Sequence, residues 1–201
     1  MTIQDAKRGF VTDAAIELFL KKPIAAVTIR DVAAASGVGE ATIYRYFSNR
    51  ANLLVACAVK LQAEVGREFL SPVQTDGLGK IAHFYGTYLA MFRVRPELYR
   101  FLSDFDAYCI SEGITEMEEY QDNFDRFREA FLAFYREGVA DGSVRELDDP
   151  ELFYSATTHA MLSLCKKLAA ESRIVRQDAA IDPGAEIKTL TRLILDSVKK
   201  K

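Results

Sequence analysis

Apolar residues recur at every third or fourth position along most of the chain, which is the spacing of helices with one buried face. In the first segment Ile3, Ala6, Phe10, Ala14 and Leu18 follow this spacing, with polar residues between them. No alternation of apolar and polar residues lasts over the length of a strand. The pattern therefore predicts an all-α protein with about nine helices.

Capping residues, glycines and prolines mark where these helices are expected to begin and end. Pro23 ends the first helix, Thr28 is placed to cap the second, and Gly37 ends it. Asp31 brings a favourable negative charge into the first turn of the second helix. The later helices are expected over residues 39–47, 49–69, 78–94, 96–109, 115–140 and 150–173, and from residues 182–184 onward.

The second and third predicted helices are short and are joined at one glycine. Ala33 is small enough for two helices to cross closely, and Gly37 four residues later tolerates a tight turn with positive φ. Ile43 is then placed to hold the third helix against the second, and Val27 and Val32 are placed to form a hydrophobic staple. This spacing is typical of a helix-turn-helix.

The third helix has two contrasting sides when its residues are counted at 100° each. Ile43 and Phe47 fall on the side that faces the core. Arg45 on the other side can bond both acceptors of a guanine, and Thr42 and Ala41 suit a thymine methyl group. A scaffolded helix of this kind suits the major groove of DNA. The residues that we expect to face the groove are Ala41, Thr42, Tyr44, Arg45 and Tyr46.

Further basic and hydroxyl groups flank this helix. Thr28, Arg30 and Arg50 are placed near helix starts, where phosphate groups of DNA bind readily. Residues 1–60 carry eight Lys and Arg against five Asp and Glu, whereas the remainder carries eighteen against twenty-four. A basic head on an acidic body fits a nucleic-acid-binding module. The alternative is an ordinary amphipathic helix whose tyrosines cover a core.

The motifs "RDVA", "SGV", "TIYRYF" and "NRANLL" occur in this order between residues 14 and 58. This segment resembles the DNA-binding domain of TetR-family (tetracycline-repressor-like) transcriptional regulators. The resemblance implies a DNA-binding domain over residues 1–48 and an effector-binding and dimerisation domain over 49–201, connected by the fourth helix at about 49–69. It also implies DNA contacts from Thr28, Arg30, Thr42, Tyr44, Arg45, Tyr46 and Arg50.

Fourteen of the 22 aromatic residues lie between residues 81 and 135, in stripes at three- and four-residue steps. Such stripes are typical of a packed core, and they can also line an apolar cavity between helices. The resemblance favours a pocket for an aromatic or long-chain apolar effector. The candidate ligand-binding residues are Phe84, Tyr88, Phe92, Phe105, Tyr108, Phe124, Phe127 and Phe131.

The last two predicted helices each carry a face suited to packing against another helix. In a monomer these faces can pack on the rest of the body, whereas the resemblance favours a two-fold dimer through a four-helix bundle. Such a dimer places two recognition helices about 34 Å apart on a near-palindromic operator. The candidate interface residues are Leu152, Ala156, Ala160, Ser163, Ile187, Leu190, Ile194 and Val198.

Other classes of function find little support in the sequence. The three cysteines are scattered and the two histidines lie far apart, so we expect no metal, no cofactor and no disulfide framework. No nucleophile–base pair or phosphate loop is apparent, and we therefore expect no enzyme. No apolar run approaches the ~18 residues of a membrane span, which predicts a cytoplasmic protein.

These observations predict a ligand-responsive DNA-binding transcriptional regulator. We expect a homodimeric repressor that is released from its operator by a small, largely apolar effector. One alternative is an all-α small-molecule-binding protein or enzyme with a vestigial helix-turn-helix head. Another is an interaction module whose exposed helices bind protein.

Overall fold

The computed structural model describes residues 3–115, 117–170 and 180–200. Within these ranges the chain forms nine α-helices and one short 3-10 turn, and its only β-type pairing is an isolated antiparallel bridge between Val144 and Lys199. The all-α prediction is confirmed. The elements are α1 (Ile3–Lys21), the 3-10 turn (Ile24–Ala26), α2 (Ile29–Ser36), α3 (Glu40–Phe47), α4 (Arg50–Phe69), α5 (Gly77–Val94), α6 (Pro96–Glu112), α7 (Glu118–Asp141), α8 (Pro150–Ala169) and α9 (Pro183–Val198).

Most helix ends lie close to the predicted positions, with three exceptions. The sixth helix continues past residue 109 to Glu112. The seventh begins at Glu118, later than the predicted residue 115, and Glu118 and Glu119 occupy its first turn, where the helix dipole favours negative charge. The eighth ends at Ala169, and residues 171–173 of its predicted span lie outside the described residues.

Aspartate side chains cap α5, α8 and α9. In each case the carboxylate accepts a hydrogen bond from the backbone N–H three residues later, which satisfies a donor that the helix itself leaves open. The capping pairs are Asp76 with Gly79, Asp149 with Leu152 and Asp182 with Ala185. Pro150 and Pro183 follow two of these caps as the first helical residues, where the absence of an N–H has no cost.

The chain divides into two compact units. Unit 1 contains the described residues up to Glu64 together with those of Arg100–Asn123, and unit 2 contains those of Val65–Tyr99 and of Phe124–Lys201. In unit 1, α2 packs on both α1 and α3, and α1 also contacts α3. The core of this three-helix arrangement is formed by Val11, Ala15, Ile16, Phe19, Ile24, Val27, Ile29, Val32, Ile43 and Phe47.

The buried side of α1 differs from the predicted one. Phe10, which was expected in the core, is 57 % exposed, and Ala6 is exposed as well. Two apolar stripes run along α1 at helical spacing. The buried stripe is the one on the side of α1 that packs on α2 and α3. The residues on that stripe are Val11, Ala15, Ile16 and Phe19.

Unit 2 is a helical bundle in which α5 packs on α8 and α9, and α8 packs on α9. Its centre is an aromatic cluster, in which neighbouring rings meet mostly edge to face at centroid distances of 4.8–6.4 Å. We define this aromatic cluster as Phe69, Phe84, Tyr85, Tyr88, Phe127, Phe131 and Tyr154.

None of the described helices is long and apolar enough to cross a membrane. No group of three or more His, Cys, Asp or Glu side chains among the described residues is arranged to hold a metal ion.

Candidate nucleic-acid interface

The start of α2 is held by a reciprocal capping box. The Thr28 hydroxyl accepts from the Asp31 backbone N–H at 3.2 Å, and the Asp31 carboxylate accepts from the Thr28 backbone N–H at 2.8 Å. The Thr28 hydroxyl also donates its proton to the same carboxylate at 2.7 Å. These bonds to Thr28 hold the pKa of Asp31 below its usual value. Thr28 was predicted to contact phosphate, yet its donors are already engaged, so its visible role is to fix the start of α2.

The turn between α2 and α3 depends on Gly37. Its φ of 66° and ψ of 12° place it in the left-handed region, which side chains other than glycine disfavour. A Cβ at this position would meet nothing within 4 Å, so the backbone angle and not crowding favours glycine here. The structure thus confirms the predicted helix-turn-helix geometry at its turn.

The third helix presents the predicted side to solvent. Ile43 and Phe47 are buried, whereas Ala41 and Arg45 are exposed and Tyr44 is 48 % exposed. We call the exposed side the reading face; it consists of Ala41, Thr42, Tyr44, Arg45 and Tyr46, of which Thr42 and Tyr46 are half-buried.

The most prominent charge on the reading face is ordered by its neighbour. The Arg45 guanidinium lies 5.6 Å from the centroid of the Tyr46 ring, a distance at which the cation and the ring attract each other. The Tyr46 ring in turn meets Phe47 edge to face. Arg45 is therefore exposed and at the same time held from one side, which reduces the entropy that it would lose on binding a base.

The end of α3 is an unusually tight turn. Ser48 has φ 66° and ψ −43°, and the Asn49 N–H donates to the Phe47 carbonyl at 2.7 Å across it, which makes a γ-turn of the strained, positive-φ kind. Asn49 then caps α4 by accepting from the Asn52 N–H at 2.8 Å. Strain of this kind is common beside functional sites. Nothing in the sequence pattern indicated it, because serine has no preference for this conformation.

Arg50 is bound within unit 1. Its Nε donates to the Val27 carbonyl at 3.0 Å and its Nη2 donates to the Ile24 carbonyl, while its guanidinium lies 5.2 Å from the centroid of the Tyr108 ring. The side chain turns inward because the segment before α2 offers two carbonyls in reach of its fork-shaped donors, and its predicted phosphate contact stays a prediction. Arg30 remains exposed in the first turn of α2, and its predicted contact stays a prediction.

Residues 11–57, which contain the capping box, the Gly37 turn and α3, match the family model described as bacterial regulatory proteins of the tetR family. The similarity to this family at the level of sequence therefore covers residues 11–57 of the 201 in the chain. No curated protein sequence matches the chain.

Solved structures of TetR-family regulators share the fold over nearly the whole chain. A tetR-family regulator from Streptomyces coelicolor aligns at TM-score 0.67 and 15 % identity over 96 % of this chain and 80 % of that one. The fatty acid degradation regulator FadR from Bacillus halodurans aligns at 0.65 and 18 %, over 94 % of each chain. The ketosteroid regulator KstR2 from Mycobacterium tuberculosis aligns at 0.62 and 14 %, over 96 % and 95 %. At such identities the likeness establishes the TetR-type fold alone.

The predicted ligand-binding residues are divided between the two units. Phe105 and Tyr108 belong to unit 1, where Phe105 stacks on Phe101 and Tyr108 lies beside Arg50. The other six lie in unit 2. Among them Phe84, Tyr88 and Phe131 are buried in the aromatic cluster, Phe92 and Phe127 are half-buried, and Phe124 is 39 % exposed.

The aromatic cluster carries neutral hydroxyl groups. Burial raises the pKa of Tyr154 to about 12, and it raises the pKa values of Tyr85 and Tyr88 further. The Tyr85 hydroxyl shares a hydrogen bond with the Thr157 hydroxyl. The polar groups of this interior are therefore uncharged near neutral pH.

The predicted dimer interface is only partly available. Leu152, 65 % exposed, shares the solvent side of α8 with Ala156, Ala160 and Ser163, which are also exposed. On α9, Ile187, Ile194 and Val198 are buried within unit 2 and Leu190 is half-buried, and their predicted place in an interface stays a prediction. An apolar stripe at helical spacing shows that one side of a helix is buried. It does not show whether the same chain or a partner covers that side. The exposed apolar residue of α9 is instead Leu193, at 58 %.

Proposed function

We propose that this TetR-type chain is a transcriptional repressor that binds a near-palindromic operator as a homodimer and leaves it on binding a small, largely apolar effector. The reading face carries the proposal. It combines an exposed guanidinium, phenol and methyl group with a half-buried hydroxyl on a helix that is buried on its other side. A helix so held and so equipped fits the major groove.

The proposed division of labour follows the chain. Residues 1–48 read DNA, residues 49–201 bind the effector and form the dimer, and α4 connects the two. The exposed side of α8 supports the dimer, because small residues such as Ala156 and Ala160 let a partner helix approach closely, with Leu152 as an apolar contact. Leu193 on α9 adds a second apolar contact.

The chemistry of unit 2 supports an apolar effector. The aromatic cluster is uncharged, and its tyrosines stay protonated near neutral pH. Two regulators of similar fold are named for ketosteroids and for fatty acid degradation. The protein would act by binding and not by catalysis, in the cytoplasm alongside the DNA.

Selection of DNA fragments bound by the purified protein tests the operator part of the proposal. We expect enrichment of a near-palindromic site with half-sites about 34 Å apart. Arg45→Ala should weaken binding to that site by about 1–3 kcal/mol, roughly 5- to 150-fold, because one bidentate base contact is lost.

Arg136→Ala is the matched control, since it removes the same charge from an exposed position on α7 in unit 2. It should leave operator affinity unchanged within about twofold, whereas nonspecific electrostatic attraction would make both variants equally weak. A folded dimer that enriches no fragment at low salt would contradict the proposal and favour a vestigial head.

Effector release is tested on the selected operator with dodecanoic acid and with a ketosteroid such as androstenedione. At least one should lower the affinity for the operator, as expected if it binds the DNA-free arrangement better. Phe84→Ala, which opens the centre of the aromatic cluster, should change the size of this fall in operator affinity. The operator affinity of the unliganded protein should stay the same. If operator affinity stays constant with either compound bound, the proposal that an apolar effector releases the protein from DNA is refuted.

A further inference from the structure

Arg50 is bound from two sides within unit 1. From one side, the carbonyls of Ile24 and Val27 accept its Nη2 and Nε donors. From the other, the Tyr108 ring of α6 lies 5.2 Å from the guanidinium. The side chain is half-buried, so these contacts are partly shielded from water.

The two carbonyls belong to the segment that leads into α2. Val27 comes directly before Thr28, the capping residue of α2, and Ile24 begins the 3-10 turn between α1 and α2. The Ile24 carbonyl also accepts from the Val27 N–H at 3.2 Å. Arg50 therefore ties the first residue of α4 to the backbone that sets where α2 begins, and α2 carries α3 through the Gly37 turn.

Tyr108 completes the arrangement from a distant part of the sequence. It lies in the Arg100–Asn123 part of unit 1, and the guanidinium carbon of Arg50 lies over its ring while two guanidinium nitrogens donate to carbonyls. A cation held by two acceptors and by an aromatic ring has little freedom to turn toward solvent.

We propose that Arg50 is a positioning residue for operator recognition and not a phosphate ligand, and that Tyr108 holds it in that position. The inference rests on the proposed DNA-binding function. It gives Tyr108, a residue of α6, a role in operator recognition although it touches no DNA. Arg50 sets the angle at which the reading face meets the bases, so its loss impairs the specific complex and spares nonspecific binding.

Salt dependence separates a positioning residue from a phosphate ligand. Loss of a phosphate contact weakens operator and scrambled DNA alike and lowers the slope of log K against log salt by about 0.9. Loss of a positioning residue lowers the preference for the operator over scrambled DNA and leaves the slope unchanged.

The experiment measures affinity for the selected operator and for a scrambled duplex at 50–200 mM salt (a range of about fourfold that resolves the slope). Arg50→Ala and Tyr108→Leu should each lower the operator preference by on the order of tenfold with an unchanged slope. Tyr108→Phe keeps a ring over the guanidinium and should behave as the wild type. Active fractions from stoichiometric titration correct for misfolded protein.

Two outcomes overturn the inference. One is an Arg50→Ala variant that loses affinity for both duplexes together with about one unit of slope. The other is a Tyr108→Leu variant with wild-type operator preference, which decides the question even if Arg50→Ala fails to fold. A wild-type protein that prefers no operator at all refutes the proposed function itself, and the inference with it. Wild-type preference for an operator together with either of the two outcomes refutes the inference alone.

Discussion

Replacement of Gly77 by alanine should disrupt unit 2 severely. Gly77 is the first residue of α5, and a Cβ there would lie 2.1 Å from the Gly138 nitrogen and 2.8 Å from the Phe134 carbonyl oxygen. Ordinary contacts of a Cβ begin at 3.4 Å. The α5 start and α7 would therefore have to separate by about 1.3 Å (3.4 − 2.1), and because the opposing atoms are backbone, no rotamer change relieves the clash.

The separation also breaks contacts that anchor the start of α5. The Gly77 N–H donates to the Asp141 carboxylate at 2.8 Å, and the Leu78 N–H donates to the Ser143 hydroxyl at 3.0 Å. Both bonds lengthen past hydrogen-bonding distance if α5 moves by that amount. Overpacking costs about 1–3 kcal/mol where side chains can yield. We expect about 3 kcal/mol or more here.

Gly86→Ala in the same helix is the matched control. A Cβ at Gly86 would meet nothing within 4 Å, so the methyl group adds helix propensity without a clash. The control should stabilise the protein by about 0.5–1 kcal/mol. Thermal unfolding followed by circular dichroism measures both, and for a chain of this size a loss of about 3 kcal/mol corresponds to a Tm lower by roughly 6–12 °C. A Gly77→Ala variant within about 2 °C of the wild type, or a Gly86→Ala variant equally destabilised, would refute the reasoning.

Three further predictions concern unit 1. Ser48→Gly should relieve the strained turn and stabilise the protein by about 1 kcal/mol, whereas Ser48→Ala keeps the Cβ and should be neutral in urea unfolding; a glycine variant less stable than the alanine one would contradict this. The Asp31 carboxyl has a lowered pKa, so the capping box should stabilise α2 fully above the ordinary carboxyl pKa of ~3.9 and lose its effect as pH falls through the lowered value. Carbon NMR titration should show this pKa rise in Thr28→Val, and an unchanged pKa would count against the box. Gln62 buries both atoms of its amide without a hydrogen-bond partner among the groups that the structure describes, so Gln62→Leu should stabilise unit 1 by about 1–3 kcal/mol, and a lower Tm would mean that the amide has a partner.

Local features made the head and the helix pattern predictable from sequence. The Thr28 cap and the Gly37 turn each depend on residues within about four positions, because helix caps and turns satisfy backbone groups of their own segment. The Asn49 and Asp149 caps are local in the same way, since each side chain accepts from an N–H three residues later. The reading face of α3 followed directly, since two buried residues one turn apart fix which side is exposed.

Contacts between distant parts of the chain decided the rest. Periodicity shows that a helix buries one side, yet the stripe buried on α1 and the partner of the α9 stripe depend on helices elsewhere in the sequence. Arg50 illustrates the physical reason. Its charge and its place at a helix start predict a phosphate contact equally well, and only the fold brings the Val27 carbonyl and the Tyr108 ring, 58 positions away (108 − 50), within its reach.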